Sequence, residues 1–155
     1  MKPLTLFSVV MFTALSLTGC QTNSGSATSY VSVRLPASAA SQLADDAAAY
    51  LSSVLPPART TLKVALGKEG TTQDSVSPAI LAALREKGYG VIVSEEQEKQ
   101  HSAAGVPVRF TVSRLENGVL LRLDYGSSEA TRFYLRTSDN QLTPASAFTV
   151  REVNC

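Results

Sequence analysis

The chain has 155 residues but no tryptophan, a single histidine and two cysteines. Zinc requires three or four convergent nitrogen or sulfur ligands. His101 and two cysteines placed far apart, Cys20 and Cys155, do not form such a cluster. Charge of either sign is not in excess, with 14 Lys and Arg against 13 Asp and Glu. A chain that binds nucleic acid through phosphates carries a basic surplus, and none exists here. Catalytic signatures are missing as well. There is no Gly-x-Ser-x-Gly elbow for acyl transfer, and Gly67-Lys68-Glu69-Gly70 lacks the spacing and terminal Lys-Ser/Thr of a phosphate loop. Gly88-Tyr89-Gly90 follows a helical pattern and lacks a third glycine, so it reads as helix termination. Glu95, Glu96 and Glu98 fall with His101 in a polar run and read as solvated. The residues therefore predict no enzyme, no cofactor, no metal, no nucleic-acid partner and no small-molecule substrate.

What is present begins at the amino terminus. Met1-Lys2-Pro3 precedes an apolar run over residues 4–17, which ends in Leu17-Thr18-Gly19-Cys20. The run is diluted by Thr5, Ser8, Thr13 and Ser16, and a spanning helix needs ~20 predominantly apolar residues. A cationic start, a short apolar segment and small residues before a cysteine describe an export signal. The tetrapeptide resembles the lipobox of bacterial lipoproteins, in which the bond before the cysteine is cut. That resemblance implies a thioether-linked diacylglycerol on Cys20 and a third acyl chain on its new amino group. One acyl chain holds a protein reversibly and two or more hold it stably. Gln21 stands where an aspartate would retain a lipoprotein in the inner membrane of enteric bacteria, which implies the outer membrane. The predicted organisation is a signal peptide over 1–19, a lipidated cysteine and flexible tether over 20–29, and one periplasmic α+β domain over 30–155. Cys155 remains either for an intermolecular disulfide or as a tolerated free end.

Hydrophobic periodicity gives the domain its elements. Residues 30–35 alternate as a short strand or extended lead-in. Over residues 36–55, Ala40, Leu43, Ala44, Ala47, Tyr50, Leu51 and Val54 make one helical stripe opposite Gln42, Asp45 and Asp46, with Ser38 as predicted N-cap and Pro56-Pro57 as the stop. Residues 60–66 read as a strand. A second helix opens at Ser77-Pro78 and closes at Gly88, and residues 91–93 follow as a short buried strand. An antiparallel meander comes next, with Val106, Val108, Phe110 and Val112 inward, a hairpin at Asn117-Gly118, then Val119, Leu121, Leu123 and Tyr125 inward. Thr131, Phe133 and Leu135 continue the same greasy face, and a last strand lies around residues 147–153. The predicted fold class is a small two-layer α+β domain, helix-strand-helix-strand and then a β-meander, with helices on one face of a mixed sheet.

This alternation predicts an outer sheet face carrying Arg109, Arg122, Arg132, Tyr134 and Arg136, with Asp124 among them. Arg and Tyr are favoured at interfaces, so the face is a candidate for partner docking. A solubilising face with cross-strand charge pairs explains the same residues.

Taken together, these residues resemble the TrbH family, the lipoprotein of the mating-pair-formation system of conjugative plasmids. The likeness rests on the lipobox, the polar tether, Gln42-Leu43-Ala44-Asp45-Asp46-Ala47, Leu55-Pro56-Pro57-Ala58 and Thr61-Leu62-Lys63-Val64. It continues through Ala82-Ala83-Leu84-Arg85-Glu86-Lys87-Gly88-Tyr89, Val106-Pro107-Val108-Arg109-Phe110 and Thr131-Arg132-Phe133-Tyr134-Leu135. It implies a structural component of a type IV secretion apparatus, working beside TrbG-like and TrbI-like core subunits at the outer membrane. The helix and strand order also fits another outer-membrane accessory lipoprotein, such as a secretin pilot or an activator of peptidoglycan synthesis.

Overall fold

Alternating apolar residues make strands only where a neighbour accepts their backbone bonds, and here they build one eight-stranded mixed sheet. The computed structural model describes residues 28–67, 74–95 and 104–153. In chain order the elements are β1 (Tyr30–Val31), α1 (Ala37–Val54), β2 (Thr61–Leu66), α2 (Val76–Glu86), β3 (Gly90–Glu95), β4 (Val106–Leu115), β5 (Gly118–Tyr125), β6 (Ser128–Arg136), β7 (Leu142–Pro144) and β8 (Thr149–Glu152). The sheet runs β3-β2-β4-β5-β6-β7, and β8 shares the β6 edge with β7. β2, β3 and β4 are mutually parallel, and from β4 to β8 every pair is antiparallel. A parallel pair needs a crossover, which α2 supplies between β2 and β3. Both helices cover one face, so the predicted two-layer α+β class is the observed one.

β1 begins at the residue the sequence suggests, but the chain already joins the sheet one residue earlier, through a bridge between Ser29 and Leu66. Where β2 parts from β4, Ser29 donates its amide to Ala65 at 2.7 Å and accepts the amide of Gly67 at 3.2 Å. Its hydroxyl accepts from the Phe110 amide at 3.2 Å. Thr28 and Ser29 are buried, so the folded unit already includes two residues assigned to the tether.

α1 starts behind Pro36 with no side-chain cap, and Ser38 lies inside the helix. It ends where Leu55 turns extended ahead of Pro56. Its stripe of alanines (Ala39, Ala40, Ala44, Ala47, Ala48) is fully buried with Leu43 and Leu51. α2 starts before Ser77, because the Asp74 carboxylate accepts the amides of Val76 and Ser77 at 2.8 and 3.1 Å. It closes as predicted at Gly88, whose φ is +91°. Gly88 donates to Arg85 and Tyr89 donates to Leu84, which satisfies the last carbonyls. Ile80 and Leu84 join Leu43 and Leu51 against Leu62, Val64, Phe110, Leu121 and Leu123 in a single core. Burying each such side chain contributes roughly 1.5–3 kcal/mol.

Three expectations need correction. Residues 91–93 lie in an edge strand, where Ile92 and Val93 are each 40% exposed, because no described strand flanks β3 on its outer side. At the β4–β5 hairpin, Leu115 pairs with Gly118, so the turn is Glu116-Asn117 and the positive φ (+45°) falls on Glu116. β6 faces opposite to expectation: Ala130 and Tyr134 are buried, and Leu135 is exposed. β7 was not anticipated. The polar 96–101 run, with His101, lies outside the described residues.

Gly118 serves close approach rather than turn geometry, since a Cβ there would strike the Tyr134 carbonyl oxygen and the Phe133 ring. Gly118→Ala should therefore cost about 1–3 kcal/mol, typical of overpacking. A denaturant midpoint equal to that of the wild type would refute this close approach.

Candidate docking surface

The pairing registers sort the five candidate residues onto two faces. Arg109 sits opposite Asp124, Asp124 opposite Glu129, and Glu129 opposite Arg151. This row crosses β4, β5, β6 and β8 on the bare face, in the charge order plus, minus, minus, plus. Two like charges directly opposite destabilise a sheet, and the flanking arginines offset that here. Arg151 donates to Glu129 at 2.8 Å and the Arg122 guanidinium lies 3.8 Å from it. Burial pushes the Asp124 carboxyl above its ordinary range, against the opposing pull of Arg109 and Arg122. The next row holds Thr111, Arg122, Thr131 and Thr149. Beyond it come Ser113, Leu120 and Phe133, and then Leu115, Gly118 and Leu135. The bare face thus grades from charged to apolar along its strands.

Arg132, Tyr134 and Arg136 are not on that face, and the prediction of one five-residue outer surface is corrected. Arg132 and Tyr134 turn toward α1, where Asp46 meets them. The Arg132 Nη1 donates to both Asp46 oxygens at 2.9 and 2.8 Å, and the Tyr134 hydroxyl donates to the same carboxylate. Burial first, and then the Asp46 carboxylate, hold the Tyr134 proton on well above the ordinary phenol range. Arg132 also donates from Nε to the Ser146 carbonyl at 2.7 Å. Its guanidinium lies 5.0 Å from the Phe148 ring centre, and that ring stacks on Tyr50 at 4.2 Å. Burial first, and then the Tyr125 hydroxyl 2.6 Å away, raise the Tyr50 pKa above the ordinary phenol range. Arg136 reaches the Arg34 carbonyl at 3.5 Å and, with Arg114 and Asn117, lines a shallow hollow of about 270 Å³.

The arrangement offers hydrogen-bonding and ion-pairing groups on both faces of the sheet. Among the described residues no group of three or more His, Cys, Asp or Glu side chains is placed to hold a metal ion. No described helix is long and apolar enough to cross a membrane. Cys20 and Cys155 lie outside the described residues. The Asp46 lock was not anticipated from the sequence. The one signal for it was a carboxylate near the apolar stripe of α1, with an Arg-x-Tyr pair in a strand far along the chain.

The described residues define a two-layer α+β domain with one helix-covered and one bare sheet face. A family model for conjugal transfer protein TrbH matches residues 21–153, and the chain belongs to that family. No curated protein and no solved structure matches it.

Removing the carboxylate in Asp46→Ala orphans a guanidinium and a buried hydroxyl, which should cost about 1–3 kcal/mol. Asp46→Asn, which keeps an acceptor, should lose less. Chemical denaturation checks both, and equal stability of all three proteins would show that the lock holds nothing.

Proposed function

We propose that the protein is an outer-membrane lipoprotein serving the conjugal transfer (type IV secretion) apparatus as a structural part. In this reading Cys20 carries the acyl chains, and the domain docks TrbG-like and TrbI-like core subunits in the periplasm. The observation that carries the reading is the family match, which begins at residue 21, directly after the Leu17-Thr18-Gly19-Cys20 lipobox. A part of this kind works by position and contact. Among the described residues no strand pairs with the outer edge of β3, which leaves it open to strand addition by a partner, with Ile92 and Val93 half exposed on either side of it. The Arg109–Asp124 half of the bare face lies on the same end of β4 as the β2–β3 pairing. Edge and charged row thus lie at one end of the sheet, with β2 between them. Membrane attachment and subunit contact then require no covalent chemistry from the domain.

Two experiments test this. Cys20→Ser should leave an unacylated, uncleaved precursor that is missing from the outer-membrane fraction, and normal fractionation of that variant removes the anchoring argument. Neutral replacement of both, Arg109→Gln and Arg122→Gln, should preserve the circular dichroism spectrum yet reduce co-purification of core subunits after mild detergent extraction. Undiminished co-purification would make the charged row plain solvent surface.

A further inference from the structure

The sheet end at which the bare face turns apolar carries arginines on its other, helix-side face. Leu115 and Leu135, the last row of β4 and β6, are 48% and 40% exposed. The Phe133 ring lies over Gly118 between them. Arg114 and Arg136 are the strand neighbours of Leu115 and Leu135 and so project to the helix side of the same sheet end, where Arg136 reaches the backbone carbonyl of Arg34. None of the three has an ion-pair partner among the described residues, whereas Arg122 and Arg151 at the far end share Glu129. Glu116 and Asp139 in the adjoining turns leave the tip with a small positive excess. A sheet end with leucine and phenylalanine on one side and arginines without an ion-pair partner on the other has the chemistry of surfaces that settle end-on into a phospholipid interface: apolar side chains enter the acyl boundary and guanidinium groups meet phosphates.

Chain length makes a bilayer the occupant within reach. Ser29 bonds at the level of Phe110. Leu115 lies five residues further along β4, or about 17 Å at the strand rise. The residues from Cys20 to Thr28 span at most ~30 Å even when fully extended. A domain acylated at Cys20 therefore stays close enough for the tip to touch the membrane, and tethering raises the local concentration of a weak contact. The docking edge β3 pairs alongside the opposite end of β4, through Val106 to Val108.

We propose that the sheet tip formed by Leu115, Phe133 and Leu135, with Arg114 and Arg136 beside it, rests on the phospholipid surface and directs the β3 edge away from the membrane. The proposal rests on the lipoprotein reading of Cys20. The absence of tryptophan makes single probes clean. Leu115→Trp, Phe133→Trp and Ile92→Trp are each introduced into the full-length chain. The acylated mature protein is then reconstituted in phosphatidylethanolamine–phosphatidylglycerol vesicles with or without brominated acyl chains. Flotation and mass spectrometry report anchoring separately. The probes at 115 and 133 should shift to the blue and lose most of their emission to brominated lipid, while the Ile92→Trp probe keeps its own. Adding Arg114→Glu and Arg136→Glu should restore much of the lost emission. Acylated protein that floats with the vesicles while both tip probes stay water-exposed overturns the proposal, keeps the lipoprotein reading and gives the tip to a protein partner. Protein that lacks acyl groups and fails to float overturns both.

Discussion

The carboxylate of Asp46 holds the two layers of this domain in their relative position. It is carried on the flank of α1, beside a stripe of alanines too small to key into the sheet by shape alone. A thin helix of this kind can slide along a sheet with little loss of contact, because each alanine contributes few of the dispersion contacts that fix larger side chains. One arginine nitrogen bridging both carboxylate oxygens, and a phenol converging on the same carboxylate, supply the missing direction. Charge-assisted hydrogen bonds are stronger and more directional than neutral ones. Tyr134 is fully buried, and its hydroxyl would otherwise bear the full desolvation penalty of an unpaired polar group.

From that lock the C-terminal part of the fold follows. Arg132 can serve Asp46 only if β6 turns residues 130, 132 and 134 toward the helices, which sends 129, 131, 133 and 135 to the bare side. The same guanidinium fixes the Ser146 carbonyl and lies on Phe148, so the segment between β7 and β8 is pinned over Tyr50. With that segment held, β8 lies against Ser128–Thr131 and places Arg151 opposite Glu129. A residue on the first helix thereby sets which charges appear on the far face of the sheet.

This dependence also explains which parts of the fold were legible in the sequence. Both helices, β2, β4, β5 and the existence of β6 are visible in apolar periodicity, because their burial is decided by neighbours close in the chain or by a strong alternation. The phase of β6 is not visible. Judged on hydrophobicity, Thr131-x-Phe133-x-Leu135 is the better core face, and a shift of one residue exchanges the two sides of a strand. The deciding partner of Arg132 is Asp46, 86 residues away. The edge status of β3 and the insertion of Ser29 between β2 and β4 are likewise tertiary facts. Of the candidate surface, Arg109 and Arg122 were placed correctly because β4 and β5 alternate strictly. Arg132, Tyr134 and Arg136 were lost with the phase.

The inversion of β6 gives the bare face its polarity. Had Arg132 and Tyr134 faced outward, the uncovered side would have been polar along the whole length of β6, with Phe133 and Leu135 buried under the helices. Instead Phe133 and Leu135 emerge beside Leu115 and Leu120, while Glu129 emerges beside Asp124. One face then carries a charge-ordered row at one end and an apolar patch about 20 Å away at the strand rise. A sheet uncovered on one side is ordinary for antiparallel strands, but a graded one presents two chemically distinct surfaces. That asymmetry originates in the helix-side demand for Arg132.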